Sequence, residues 1–254
     1  MASRLSLLAV FAHPDDETCA GGTLARYSAE GVKVSLVSAT RGEAGEVGDP
    51  PLCSQEDLGA VREQELRQAA AVLGIDDPRF LGYADGELDS YDPSEVEGKI
   101  VKAIRELRPQ VVITFGPEGC TAHPDHIAVH KLTTAAFQSA GEAGKYPEHF
   151  REGLSAHLPQ KLYYVALPDQ DLPITTTVDV SEYVESKARA VQSHKTQARV
   201  MSDPSPSSQE AVDEQPSNEY FHLAISRLVH REEEETDLFA GLLKPGQAML
   251  SMKR

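Results

Sequence analysis

Two short stretches of the sequence combine histidines with carboxylates. The first reads AHPDDE at residues 12–17 and the second reads AHPDH at residues 122–126. Each follows an apolar run, and each contains the tripeptide His-Pro-Asp. A carboxylate at such a position often caps a helix, but capping does not require a histidine. The repeated combination therefore predicts a chemical site.

The residue types in these stretches suit a catalytic metal ion. Two imidazoles and one carboxylate are a recurrent ligand set for catalytic zinc, which keeps a further position for water. We predict that His13, Asp16 and His126 form this set. A metal ion in such a site lowers the pKa of water to about 7, so that hydroxide is available at neutral pH. Zn²⁺ is the predicted ion, and the same ligand types also accept Fe²⁺.

The remaining polar residues are assigned to catalysis. Two adjacent carboxylates do not easily bind one ion from a single turn, so Asp15 is predicted to be the general base that takes a proton from water. His123, in its cationic form, is predicted to stabilise the oxyanion of a tetrahedral intermediate. Asp125 is predicted to hold the His123 imidazole in orientation.

Alternating strands and helices must position these residues. Apolar runs predict strands at residues 5–11, 32–39, 79–83, 111–115, 161–167 and 175–180. Helical spacing predicts helices at residues 18–29, 57–73, 93–107, 127–139 and 181–193, the last capped by Ser181. We predict a single-domain, Rossmann-like three-layer α/β fold over residues 1–254. Its sheet is mostly parallel, and the metal site lies at the carboxyl ends of the strands.

Composition and charge exclude several classes of partner. Lys and Arg number 24 against 40 Asp and Glu, and the formal net charge of -16 disfavours nucleic acid and anionic membrane surfaces. The sequence lacks an apolar run of the roughly 20 residues needed to span a membrane. Three cysteines without paired spacing, and an N-terminus without a basic leader, predict a soluble cytoplasmic protein.

Two polar segments are assigned outside the site. Residues 202–218 are rich in Ser, Pro, Asp and Gln, which predicts a long flexible loop within the domain. The acidic run at residues 232–235 is interpreted as the solvated start of a helix.

With both motifs intact, the sequence resembles the PIG-L/LmbE family of zinc-dependent deacetylases, which share AHPDDE and a later HPDH. The resemblance covers roughly residues 5–200. It also includes Thr40-Arg41-Gly42-Glu43, Arg62-Glu63, Leu81-Gly82-x-x-Asp85-Gly86 and Ser193-His194-Lys195-Thr196-Gln197. Some members of the family carry a tyrosine two residues before the first His of HPDH, where this chain has Thr121.

The resemblance implies roles for individual residues. It makes His13, Asp16 and His126 the metal ligands, Asp15 the base and His123 the group that stabilises the intermediate. It further implies that Arg62 and Asp85 contact substrate, and we add Glu43 and His194 as candidate substrate-binding residues.

The family resemblance also implies a substrate class. Members remove acetyl groups from compounds that contain N-acetylglucosamine, including glycolipid precursors and precursors of mycothiol and bacillithiol, and others are amidases of thiol conjugates. We expect a small N-acetylated sugar conjugate, such as N-acetylglucosaminyl malate, as the substrate. Related proteins range from monomer to hexamer, so a homo-oligomer is one expectation.

Two other functions use the same residue types. Non-haem Fe(II) oxygenases also bind iron through two histidines and a carboxylate, but usually on an all-β barrel, and Asp15 would then lack a role. A sugar-binding or metal-binding module without catalysis is the other alternative. Such a module would have no need of the Asp15 carboxylate.

Overall fold

The predicted apolar runs form the centre of one sheet. The structure is a computed structural model and describes residues 4–197, 215–228 and 234–242. Within these residues the sheet has seven strands: β1 (Ser6–Phe11), β2 (Lys33–Ser38), β3 (Arg79–Phe80), β4 (Val111–Phe115), β5 (Lys161–Ala166), β6 (Thr176–Asp179) and β7 (Asn218–Ser226). All residues of β1 and β4 are buried, as expected for central strands covered on both faces.

The strand order defines where a site can form. The order is β3-β2-β1-β4-β5-β7-β6, and β1 pairs in parallel with both β2 and β4. Strands β3 and β5 continue the parallel part, whereas β7 runs antiparallel to β5 and β6. The direction of chain progression reverses between β1 and β4, which creates a crevice at their carboxyl ends. The predicted α/β fold with a mostly parallel sheet is confirmed.

Helices cover the sheet in two groups. The helices are α1 (Gly21–Ala29), α2 (Leu58–Val72), α3 (Pro93–Leu107), α4 (Gly119–Ala122), α5 (Pro124–Ser139), α6 (Pro147–Arg151) and α7 (Val184–Ser193). Helices α1 and α2 both pack against α7, and α3 packs against α5. Because parallel crossovers are right-handed and the strand order reverses at β1, the two groups lie on opposite faces of the sheet.

Three helix starts differ from prediction by three residues. Helix α5 begins at Pro124 rather than at residue 127, because proline suits the first helical position and the His123 side chain caps the turn. Residues Asp16–Ala20 form a 3₁₀ turn, so α1 begins only at Gly21. The predicted cap at Ser181 is wrong: Ser181–Tyr183 form a 3₁₀ turn, and Ser181 donates its backbone N–H to Asp179.

The C-terminal segment adds a buried charge to the sheet. Glu235 is buried and pairs with Thr176 of β6 through a backbone bridge, so the interpretation of this end of the acidic run as a solvated helix start is wrong. The Lys161 ammonium donates to Glu235 at 2.8 Å and to the Tyr163 hydroxyl at 3.1 Å. The burial of Glu235 could not be predicted from the local sequence, because its cationic partner Lys161 is distant along the chain.

The predicted long loop and the search for membrane-spanning helices can be compared with the described residues only. Residues 202–214 of the predicted long loop lie outside them, and Asn218 begins β7. Among the helices that the structure describes, none is long and apolar enough to cross a membrane.

Substitution of Lys161 by Met tests the buried pair. The variant leaves the Glu235 carboxylate buried without its cation, so we expect the free energy of unfolding to fall by about 3 to 5 kcal/mol. Lys102→Met is the matched control, because Lys102 pairs with Glu152 at the exposed surface and should lose much less. Urea denaturation measures both, and equal losses would contradict a special role for the buried pair.

Candidate metal centre

The two motifs meet at the carboxyl edge of the sheet. AHPDDE continues directly from β1, and HPDH follows β4 after the short irregular helix α4. Since β1 and β4 are adjacent parallel strands, their carboxyl ends lie side by side. Motifs about a hundred residues apart in sequence thereby share one site.

Side-chain atoms of three residues converge at spacings that suit a metal ion. The distance from His13 Nδ1 to His126 Nε2 is 3.1 Å, and that from His126 Nε2 to Asp16 Oδ1 is 3.2 Å. His13 Nδ1 also lies 3.6 Å from Asp16 Oδ2. Tetrahedral ligands at zinc distances are separated by about 3.3 Å. The donor set predicted from sequence therefore fits a tetrahedral ion.

Hydrogen bonds to neighbouring groups orient the Asp16 carboxylate and the His126 imidazole. Asp16 Oδ2 accepts the backbone N–H groups of Ala12 and His13, at 3.1 and 2.7 Å, which leaves Oδ1 facing the site. His126 Nδ1 lies 2.9 Å from the Gly119 carbonyl oxygen. A carbonyl can only accept, so Nδ1 carries the proton and the lone pair of Nε2 points inward.

His13 is oriented by two carboxylates on its far side. Its Nε2 lies 2.9 Å from Asp85 Oδ1 and 3.1 Å from Asp125 Oδ2. Burial by itself lowers the pKa of His13, but the hydrogen bonds to Asp125 and Asp85 outweigh burial and raise the pKa to about 10. An environment that favours a bound proton so strongly also favours another cation, and carboxylate behind imidazole is the usual support of a metal ligand.

The Asp125 carboxylate does not hydrogen-bond to His123, so the prediction that this side chain orients the imidazole is wrong. Its carboxylate accepts the backbone N–H groups of Gly86 and Leu88, at 2.7 and 3.0 Å, besides contacting His13. The loop that follows β3 places these two donors over the start of α5. Both oxygens of the Asp125 side chain are thereby committed away from His123.

His123 itself is bound differently from the prediction. Its Nδ1 accepts the backbone N–H of Asp125 at 3.2 Å and so caps α5. Burial and the nearby imidazoles of His13 and His126 lower its pKa, which opposes the predicted cationic form. A neutral imidazole that accepts at Nδ1 carries its proton on Nε2 and can donate from there. One nitrogen each of His13, His123 and His126 also lie within 4.8 Å of one another, which makes three imidazoles a second candidate donor set.

Asp15 stands beside the donors in a strained conformation. Its φ is 108°, a region that non-glycine residues rarely adopt and that clusters at functional sites. Burial and the charge of Asp16 raise its pKa to about 7, although the Arg62 guanidinium acts in the opposite direction. A carboxyl with a pKa near 7 exchanges protons readily at neutral pH.

Arg62 is buried against Asp15. Its side chain is 4% exposed; Nη2 donates to Asp15 Oδ2 at 3.1 Å, and Nη1 donates to the Gly42 carbonyl at 2.8 Å. Most of its hydrogen-bonding capacity is used within the protein. Substrate contact by Arg62 stays a prediction, and its placement adds a contact to the presumed base.

The other candidate substrate-binding residues lie in the same region. Glu43 Oε1 accepts the backbone N–H of Asp85 at 3.1 Å, so these two residues brace the loops after β2 and β3. Asp85 contacts His13, as described above, and substrate contact by either residue stays a prediction. His194 is 0% exposed and pairs through Nε2 with Glu17 Oε1 at 2.6 Å.

Glu17 is a site residue that the sequence reasoning missed. It is 1% exposed, and its Oε2 accepts the backbone N–H of Asp15 at 3.0 Å. Its position as the last letter of AHPDDE was the available signal. This signal is weak, because a single acidic residue in the first turn of a helix usually stabilises the helix N-terminus.

The fold is a mostly parallel α/β sheet, and a cluster of histidines and carboxylates that could hold a metal ion lies at its strand ends. A profile of the GlcNAc-PI de-N-acetylase (PIG-L) family matches residues 8–137. The chain is 36% identical over 278 residues to a 1D-myo-inositol 2-acetamido-2-deoxy-alpha-D-glucopyranoside deacetylase of Actinosynnema mirum, with 93% of this chain and 96% of the relative covered. It is 33% identical over 293 residues to a mycothiol S-conjugate amidase of Streptomyces coelicolor, with 95% and 99% covered.

Solved structures agree with this relationship. The N,N'-diacetylchitobiose deacetylase of Pyrococcus horikoshii superimposes with a TM-score of 0.68 and 26% identity, covering 76% of this chain and 70% of that one. The chain belongs to the PIG-L family of de-N-acetylases. The resemblance inferred from the two motifs is confirmed.

Substitution of Gly42 by Ala tests the packing of Arg62. A Cβ at Gly42 would lie 2.3 Å from Arg62 Nη1, and the buried guanidinium is held by several hydrogen bonds. Gly82→Ala is the matched control, because Gly82 also has a positive φ but no atom within 4 Å of its added Cβ. We expect Gly42→Ala to lower the free energy of unfolding by about 1 to 3 kcal/mol more than the control. If chemical denaturation gives the same loss of unfolding free energy for both variants, the Arg62 guanidinium can move aside without destabilising the protein.

Proposed function

We propose that this protein is a zinc-dependent hydrolase that removes the acetyl group from a small conjugate of N-acetylglucosamine. The observation that carries the proposal is the convergence of His13, Asp16 and His126 within 3.1 to 3.6 Å, with Asp15 beside them. Relatives at 36% identity that are named as deacetylases of such a conjugate support it. We further propose that residues 1–254 form one domain, since the described strands share one sheet.

We propose that His13 Nδ1, His126 Nε2 and Asp16 Oδ1 hold the ion. The distances from His126 Nε2 to the other two atoms, 3.1 and 3.2 Å, and the mixed nitrogen and oxygen chemistry suit Zn²⁺, and Fe²⁺ is the alternative ion for the same set. When bound, the ion polarises the amide carbonyl and makes water more acidic. Asp85 and Asp125 would hold the ligating imidazole of His13 from behind.

The residues around the ion divide the proton transfers between them. Asp15 takes a proton from water, and the resulting hydroxide attacks the carbonyl carbon of the acetyl group. His123 donates a hydrogen bond from Nε2 to the oxyanion that develops there. Asp15 then passes its proton to the amine as the carbon–nitrogen bond breaks. The products are acetate and the free amino sugar.

Amide hydrolysis of a thiol conjugate is the second candidate. It uses the same chemistry and differs only in the size of the acyl group, and a mycothiol S-conjugate amidase is among the similar relatives. An oxygenase is disfavoured because the fold is α/β and Asp15 would lack a role. A binding module without catalysis is disfavoured for the same second reason.

An acetate-release assay tests the reaction. Purified protein loaded with Zn²⁺ is incubated with GlcNAc-inositol, GlcNAc-malate, diacetylchitobiose and an amide-linked thiol conjugate, and free acetate and free amine are measured. We expect acetate from at least one of the sugar conjugates. Amine without acetate would identify the amidase, and no release from any of the four would contradict both hydrolase assignments.

Asp15→Asn is the variant for that assay. The amide cannot accept a proton from water, so we expect turnover to fall by about 10² or more while bound metal stays at the wild-type level. A metal-replete Asp15→Asn variant with full activity would contradict the assignment of Asp15 as the base.

Metal affinity separates the two candidate donor sets. Asp125→Asn weakens the support of His13, so we expect Zn²⁺ affinity to fall about 10- to 100-fold. His123→Asn keeps a side chain that can cap α5 but removes the imidazole, so we expect near wild-type affinity and slower turnover. Competition with a chromogenic chelator measures both. A loss in His123→Asn as large as that in His126→Asn would make His123 a ligand.

A further inference from the structure

The strained residue Asp15 is held at three points. Its backbone N–H is bound by Glu17, and its carbonyl oxygen accepts the Thr18 backbone N–H at 3.0 Å and the Thr18 hydroxyl at 2.6 Å. Its carboxylate is bound by Arg62. A conformation with φ of 108° costs energy and persists only where the surroundings determine it fully. The backbone contact to Glu17 is therefore part of what sets the direction of the side chain.

His194 holds Glu17 in turn. Glu17 Oε1 lies 2.6 Å from His194 Nε2, and both residues are almost completely buried. A buried carboxylate needs hydrogen bonds or a cation close by to offset the loss of water. His194 provides one bond and leaves Oε2 of Glu17 free to accept from Asp15. His194 Nδ1 has no hydrogen-bond partner among the described residues, so the side-chain hydrogen bond that the structure shows for His194 is the one to Glu17.

The turn that carries His194 is fastened to helix α2. Glu65 of α2 accepts the backbone N–H of Thr196 at 2.9 Å and the Thr196 hydroxyl at 2.7 Å. Glu65 stands one helical turn after Arg62, whose guanidinium binds the Asp15 carboxylate. Helix α2 thus fixes Asp15 twice, directly by Arg62 and indirectly through the turn and His194.

We propose that His194 is a positioning residue for catalysis, which acts through Glu17 on the backbone of Asp15. The proposal rests on the proposed function, in which Asp15 is the base. It replaces the expectation that His194 binds substrate, because a side chain with 0% exposure has no surface to offer a ligand. A displaced base slows the chemical step, and misplacement by about 1 Å can cost about 10²-fold in rate. Substrate binding should be untouched.

Paired substitutions test the hydrogen bond to Glu17. His194→Leu removes the donor, whereas His194→Gln places an amide nitrogen near the position of Nε2. We expect kcat to fall about 10- to 100-fold in His194→Leu with KM and Zn²⁺ content unchanged, and to return to within about 3-fold of wild type in His194→Gln. If His194→Leu does not fold, His194→Asn substitutes for it, because its amide nitrogen stops short of Glu17.

A remote buried histidine controls for loss of packing. His149 of α6 is also buried, its Nδ1 lies 3.1 Å from Arg105 of α3, and neither helix carries one of the two motifs. His149→Leu should lower stability and leave kcat unchanged. A raised KM in His194→Leu with unchanged kcat would overturn the positioning role and restore substrate binding.

A double substitution tests whether the effect passes through Asp15. In an Asp15→Asn background, His194→Leu should change the residual rate by less than about 3-fold, because the group being positioned is already disabled. The same 10- to 100-fold loss in both backgrounds would overturn the proposal.

A spectroscopic measurement keeps this inference separate from the proposed function. The amide of Asp15 donates to the Glu17 carboxylate, which His194→Leu releases from its hydrogen bond with His194. Because a weaker hydrogen bond shifts an amide proton upfield, the Asp15 proton resonance in ¹H–¹⁵N spectra should move upfield in His194→Leu and recover in His194→Gln. This readout does not need turnover. Absence of acetate release by wild type would refute the function alone, and an unmoved Asp15 resonance would refute the positioning role alone.

Discussion

Burial of charge at the carboxyl edge of the sheet is the constraint on which the rest of the site depends. Ionised groups removed from water are costly unless partners surround them. His13, Asp16 and His126 are all buried, and each has a fixed partner. The loop after β3 is folded over the site because two of its backbone N–H groups satisfy Asp125. The loops of the site are therefore shaped by the hydrogen bonds that its charges require.

Backbone strain follows from the same crowding. Besides Asp15, positive φ angles occur at Cys120 and Ala122, in the turn that leads from β4 into HPDH. Gly119 in that turn has no room for a side chain, since a Cβ would lie 2.7 Å from His126 Cβ. This close approach lets the Gly119 carbonyl reach His126 Nδ1 and fix the inward nitrogen. The strained turn therefore also sets the orientation of the His126 imidazole.

Local patterns predicted what depends on neighbours in the sequence. The predicted bounds of α3 and β4 match the structure, because apolar residues at helical spacing before Pro109 mark the helix and a short, mostly apolar run marks the strand. The convergence of the two motifs was also predictable, because the carboxyl ends of parallel strands lie at the same edge of a sheet. The partner of Asp125 could not be predicted, because its donors come from a loop nearly 40 residues away. Glu235 was misread for a similar reason, since Lys161 lies 74 residues before it.

Asp15 and Asp16 show how far such local reasoning extends. The carboxylate of Asp16 is hydrogen-bonded within its own turn, by the N–H groups of Ala12 and His13, so a short motif suffices to orient it toward the proposed metal site. Asp15 is satisfied by Arg62 and, through Glu17, by His194, which come from α2 and from the turn after α7. The orientation of the proposed ligand Asp16 can therefore be predicted from six residues of sequence. The orientation of Asp15, the proposed base, is a property of the assembled fold, and on this proposal a chain with both motifs but an altered α2 or α7 would keep metal binding and lose turnover.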